Sequence, residues 1–144
     1  MNRGGLRRSL PKGDISEGQI IMMMPFYNYI DVIDIKGSDL LDAFDVTAAF
    51  GGQGVSRNVQ AVVNPASKKA VEVLVDGKPI DPDRTYRLAT IDYLSAGGDY
   101  MKPLTKGTKV AQSPNVIYND LMDYMRASKK KINPSAQPRV KVVK

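Results

Sequence analysis

The chain has 144 residues, 42% of them hydrophobic and 25% charged, with a formal net charge of +6; this is too apolar for a disordered chain, and the longest apolar run, Ile20 to Phe26, falls short of the roughly 20 residues that span a bilayer. There is no cysteine and no histidine, which excludes disulfides, thiol nucleophiles, Ser-His-Asp triads and imidazole metal sites, and leaves only a carboxylate site for a hard cation. From Arg126 to Lys144 there are seven basic residues and no acidic one, while the remainder is close to neutral, so a solvated basic tail over about 128–144 is expected rather than a nucleic-acid face, which would mix basic residues with aromatics.

Residues 1–19 are polar, with Gly4-Gly5 and Pro11-Lys12-Gly13-Asp14 as turn signals. Ile20 to Met24 is continuously apolar and is ended by Pro25. Tyr29 to Ile35 sets Ile30, Val32 and Ile35 among Asp31 and Asp34, the pattern of a half-exposed strand. Gly37-Ser38-Asp39 opens a helix, with Ser38 as the cap and Leu40, Leu41, Phe44 and Ala48 at helical spacing, and Gly51-Gly52 ends it. Val71, Val73 and Val75 alternate up to Asp76-Gly77, a hairpin signal, and Tyr86 to Ile91 is a further strand. Ser95 to Asp99 is a flexible turn. Ser113-Pro114 is expected to open a second helix, with Leu121, Tyr124 and Met125 on its buried stripe. The expectation is one α+β domain over 1–144, with short strands packed against two main helices.

Three stretches have the composition of a ligand site. In Asn2-Arg3-Gly4-Gly5-Leu6-Arg7, Gly5 lets the backbone approach a ligand and Arg7 offers a two-pronged donor to phosphate or carboxylate. In Met24-Pro25-Phe26-Tyr27-Asn28, Phe26 can stack on a flat ligand and Asn28 can reach its edge. In Tyr93 to Tyr100, Tyr93 offers a second aromatic face, and Asp99, after Gly97-Gly98, is suited to accept both hydroxyls of a ribose. Each stretch also has an ordinary reading: a turn with exposed arginines, a core phenylalanine, a surface turn with aspartate. Together, a guanidinium, two aromatics and a carboxylate describe a nucleotide pocket that needs no metal.

These residues also resemble a known family. Asn2 to Arg7, Pro25-Phe26 with Asn28, and Tyr86-Arg87-Leu88-Ala89-Thr90 running into Tyr93 and Gly97-Gly98-Asp99 are similar to the C-terminal domain of the 5′-nucleotidase family, which includes bacterial periplasmic UDP-sugar hydrolase and animal ecto-5′-nucleotidase. Lys36-Gly37-Ser38-Asp39-Leu40 and Val75 to Ile80 fit the same spacing, so the resemblance covers roughly Asn2 to Val143. It implies two domains in the family's enzymes. A calcineurin-like N-terminal domain holds two divalent metals through His, Asp and Asn and performs the hydrolysis; the C-terminal domain binds the nucleotide.

Carried onto this sequence, the resemblance gives Arg7 the phosphate, Phe26 one face of the base and Asn28 its edge. Tyr93 takes the other face, Asp99 the ribose, and Asn2 a place near the substrate, with Gly5 and Gly98 in the same motifs. Three departures accompany it. Tyr93 stands where the family usually has phenylalanine, and Tyr27 stands where a small residue is usual and could narrow the pocket. The chain begins at the Gly-Gly motif, so upstream arginines and the metal domain are expected in a longer protein. The implied partners are a nucleotide or nucleoside and a metallophosphatase domain in cis or trans. No cofactor, nucleic acid or membrane span is expected for the chain itself, and the implied compartment is the periplasm or cell surface. Arg3, Arg7 and Arg8 are not followed by an apolar segment, so the chain is not expected to target itself. A stand-alone binding module without catalysis is the alternative. As an isolated chain, hydrolytic inactivity is expected.

Overall fold

The computed structural model describes residues 1–128, 131–134 and 137–144. The expected Lys129-Lys130 part of the basic run lies outside them. Helix α1 spans Glu17–Met23, strand β1 Tyr29–Lys36 and helix α2 Gly37–Ala49. Strands β2, Val59–Asn64, β3, Lys69–Val75, and β4, Lys78–Pro79, follow. Then come β5, Thr85–Ile91, the one-turn helix α3, Asp92–Ser95, strand β6, Thr108–Val116, helix α4, Ile117–Ser128, and β7, Val140–Val142. Short 3-10 turns cover Arg3–Gly5, Gly98–Tyr100 and Lys102–Lys106.

Two sheets share the core. One has the order β5-β1-β6 and is antiparallel throughout; the other has the order β4-β3-β2-β7, with β7 parallel to β2. Helix α2 packs on β2 and β3 of the second sheet and on β1 of the first. Its buried Leu40, Ala43, Phe44 and Ala48 meet Ile33 and Ile35 from β1, Ala61, Val63 and Val73 from the second sheet, and Ile91, Leu94, Met101 and Leu104. The α+β expectation therefore holds.

Several local expectations are corrected. Residues 16–19, read from the sequence only as part of a polar stretch, open a helix: Ser16 accepts the Gln19 amide at 3.3 Å while the Gln19 side chain accepts the Ser16 amide at 2.8 Å. This reciprocal cap starts α1. The apolar run from Ile20 is thus the end of a helix, with Ile20 and Met24 buried and Met22 exposed. Ser38 is not the cap of α2. That helix starts at Gly37, and its free amides are taken by carbonyls of the loop before β5: Gly37 N–H donates to Arg84 O at 2.8 Å and Ser38 N–H to Pro82 O at 3.0 Å.

Ser113-Pro114 does not open a helix either. Both residues belong to β6, an edge strand, where a proline lacking its N–H is tolerated. Ser113 still serves the helix from outside by donating to Asp120 Oδ2 at 2.5 Å. In α4, Tyr124 is exposed rather than buried. The strand β1 also faces differently from its apolar count. Asp31, Ile33 and Ile35 are buried, whereas Asp34 turns outward to meet Arg87 across the β1–β5 pair at 2.8 and 2.9 Å. The basic tail is exposed at Lys141 and Lys144, yet Val140–Val142 pairs with β2 and Arg139 donates to Val55 O at 2.7 Å.

The α2 start has no room for a side chain. A Cβ on Gly37 would sit 2.0 Å from the Asp81 carbonyl oxygen, which is backbone and cannot swing aside. Gly37→Ala is expected to lower the unfolding free energy by roughly 2–4 kcal/mol, because it forces apart the loop that caps the helix. Gly51→Ala, at φ +72° in open space, is expected to cost only about 1 kcal/mol. Urea denaturation of both variants checks this; equal losses would mean that the Asp81–Pro82 loop yields to the added methyl at little cost.

Candidate functional site

The site is assembled on α3 and the turn after it. Leu94 buries α3 against the core, and the Gly97-Gly98 turn, with Gly97 at φ +93°, brings Asp99 back over Tyr93. The Tyr93 hydroxyl donates to Asp99 Oδ1 at 3.0 Å and accepts the Asp99 amide at 3.3 Å. Asp99 itself is in the left-handed region, at φ 50° and ψ 40°. The Tyr93 ring lies directly on Gly98: a Cβ there would come within 2.6 Å of three ring carbons. One face of the ring is therefore covered, yet the residue stays 46% exposed.

Asn2 arrives from the other end of the chain. The N-terminal turn is tied to the loop after α2, where the Arg3 amide donates to Gln53 Oε1 at 2.6 Å. That places the buried Asn2 so that its Nδ2 donates to Asp99 Oδ2 at 2.6 Å. Asn2 Oδ1 is buried and without a partner, facing Gly5, where an added Cβ would be only 2.9 Å away. Asn28 joins through Asp92: its Nδ2 donates to Asp92 Oδ1 at 2.9 Å, and the same oxygen accepts the Tyr93 amide at 2.8 Å.

Asn2, Gly5, Asn28, Tyr93, Gly98 and Asp99 thus form one connected cluster. Arg7 and Phe26 are not bonded to it. Among the described residues no hydrogen bond or ring contact links them to the cluster. Arg7 donates from Nη1 to Gly4 O at 3.4 Å, and its amide donates to Met23 O at 2.8 Å, which ties the turn to the end of α1. Phe26 is 44% exposed, so it is not a core residue. Tyr27 does not lie in the cleft beside Tyr93; its ring meets Tyr118 of α4 edge-on, with centroids 6.2 Å apart.

Beneath the cluster lies a feature that sequence reasoning missed. The Asp31 carboxylate is fully buried and takes three donors: Ser95 Oγ at 2.5 Å, Gln112 Nε2 at 2.8 Å and the Lys109 ammonium at 2.8 Å. Burial pushes the Asp31 carboxyl up, but the bonds from Lys109, Ser95 and Gln112 outweigh it and hold the group below its ordinary value. The available signal was the two-residue period, since Ile33 and Ile35 put Asp31 on their own inward face. Asp31, Lys109 and Gln112, together with Asn28, Asp92 and Tyr93, line an open cleft of about 560 Å³. A larger cleft of about 880 Å³ lies along β4 and β5 and contains none of the expected site residues. Two of its charges, Asp34 and Arg87, are paired with each other, and Arg84 lies over the Tyr86 ring.

The family model for the 5′-nucleotidase C-terminal domain matches residues 1–106. The chain belongs to this family. As a 5′-nucleotidase C-terminal domain it is 31% identical over 147 residues to an apyrase of Tabanus yao, covering 89% of this chain and 26% of that protein. It is 36% identical over 103 residues to the UshA protein of Yersinia enterocolitica, covering 69% and 18%. Among solved structures, a 5′-nucleotidase precursor from Thermus thermophilus superposes with a TM-score of 0.86 at 27% identity, over 99% of this chain and 30% of that one. The chain thus spans about a quarter or less of the curated relatives named here. The two metals that the family resemblance assigns to a separate domain do not fit the residues present. The chain has no histidine, and no group of three or more acidic side chains among the described residues is placed to hold an ion.

The sign of the Asp31 effect is fixed by its lowered pKa. Its contribution to stability is present above the unfolded value of 3.8 and is lost as pH falls through the lower folded value. Asp31→Asn is expected to lower stability at pH 7 by about 2 kcal/mol, because an amide turns one of its donors toward Lys109 and Gln112. It should also flatten the fall in the urea midpoint as pH drops below 3.8. An unchanged slope would assign that acid sensitivity to other carboxylates.

Proposed function

We propose that this domain holds a nucleotide for a phosphohydrolase whose hydrolytic groups lie outside this chain. In this reading Tyr93 and Phe26 stack on the base, Asn28 meets its edge, Asp99 and Asn2 take the ribose side, and Arg7 meets the phosphate. The chemistry of this chain is binding and orientation: it restricts the substrate to one placement, which lowers the entropic part of the barrier for a reaction completed elsewhere. The family's two divalent metals would supply an activated water when bound in that other domain. The proposed compartment is the periplasm or cell surface.

The observation that carries this reading is the Asp99 carboxylate. It is held at both oxygens by Asn2 and Tyr93, beside a half-exposed ring whose other face is already packed. An acceptor next to a free aromatic face is what a nucleoside's hydroxyls and base require.

Calorimetric titration with adenosine and with AMP tests the reading. Saturable binding is expected, weakened at least about tenfold by Phe26→Ala through lost stacking and by Asp99→Ala through lost charge-assisted bonds. No AMP hydrolysis is expected from the chain with added divalent metal. Absence of binding in a folded wild-type chain would overturn the clamp while leaving family membership intact, and metal-dependent turnover by the pure chain would overturn the division of labour.

A further inference from the structure

We infer that the Tyr93 hydroxyl is a positioning group that presets the Asp99 carboxylate to accept both hydroxyls of a vicinal diol; this rests on the nucleotide-binding reading above. The argument begins with the acceptor count. An ionised carboxylate has about four lone-pair sites, two on each oxygen. Tyr93 uses one on Oδ1 and Asn2 uses one on Oδ2. One site therefore remains on each oxygen, which is the number that two neighbouring hydroxyls need. Asp99 is only partly buried, so the carboxylate is not sealed from a ligand.

The second observation concerns what holds Asp99. Asp99 and Tyr100 are consecutive residues with positive φ, 50° and 63°, a backbone that L residues rarely adopt. The Tyr93 hydroxyl bonds both ends of Asp99, donating to its carboxylate and accepting its amide N–H. It therefore fixes the backbone turn and the side-chain rotamer together. The hydroxyl is itself held in place. The ring rests on Gly98, the Tyr93 amide is tied to Asp92, and α3 is fastened to β1 through Ser95 and Asp31. A phenylalanine at this position keeps the stacking face and loses both bonds. Ring and hydroxyl thus have separable duties, the ring toward a flat ligand and the hydroxyl toward the residue that meets the diol.

The test is Tyr93→Phe with two readouts. Three-bond NMR couplings to the Asp99 Cγ report its χ1 rotamer without any ligand. A single rotamer is expected in the wild type and rotamer averaging in Tyr93→Phe. Calorimetry with adenosine and with 2′,3′-dideoxyadenosine then reads the diol. The wild type should prefer adenosine by about tenfold, and Tyr93→Phe should weaken adenosine by roughly fivefold while leaving the dideoxy compound unchanged. Tyr93→Ala should weaken both. A single Asp99 rotamer in Tyr93→Phe, or an unchanged adenosine preference, overturns the inference and leaves the nucleotide reading standing. Failure of the wild type to bind either nucleoside overturns both.

Discussion

Asp31 takes donors from two different elements: Ser95 belongs to α3, and Lys109 and Gln112 belong to β6. A carboxylate removed from water loses hydration worth several kcal/mol, and only close, well-directed donors offset that loss. Here the offset doubles as a joint. β1 is the central strand of its sheet, and its buried charge reaches sideways to β6 and upward to the helix carrying Tyr93. Without that charge α3 would keep the packing of Leu94 and the Asn28–Asp92 bond, but it would lose its fastening to the strand beneath.

That fastening matters because α3 cannot stand alone. Four residues are too few to repay the cost of nucleating a helix, so its geometry comes from its anchors. Asp92 is held by Asn28 and Ser95 by Asp31, and the ring between them, Tyr93, has its orientation set by both neighbours. The Gly97-Gly98 turn then returns the chain within a few residues, so the ring and the carboxylate it touches are close in sequence as well as in space. Asn2 closes the arrangement from 97 residues away. A local turn and a long-range amide therefore converge on a single carboxylate, carried next to a helix that the buried Asp31 holds down.

The parts of the fold legible in the sequence were those with a strong local signal. Asp76-Gly77 takes positive φ at both residues, 51° and 75°, as such a hairpin dipeptide should. The alternation of Val71, Val73 and Val75 falls within β3, and Tyr86 to Ile91 falls within β5. Ser113-Pro114 misled because serine before proline describes a helix start and an edge strand equally well, and only pairing with β1 distinguishes them. Ser16 and Gln19 carried a readable capping box that was masked by the glycines around it. At the site, the residue types were legible and their pairings were not. The sequence names Asp99 as an acceptor, but nothing local says that Asn2 and Tyr93 supply its donors. Asp31 was hidden because a carboxylate in a strand is ordinarily assigned to the solvent face.

The division of the expected site into a bonded cluster and two outlying residues has a physical consequence. Asn2, Asn28, Tyr93 and Asp99 are fixed by hydrogen bonds before any ligand arrives, so ordering them costs a ligand little. Phe26 and Arg7 are exposed, and Arg7 has only a long bond from its guanidinium to the Gly4 carbonyl. Whatever they contact must bring its own order. On the proposed reading, the base edge and the ribose meet a preset surface, while the phosphate end meets a loosely held cation and an open side. An open phosphate end suits a domain that presents a substrate rather than transforms it, since the groups that complete the reaction need access from outside.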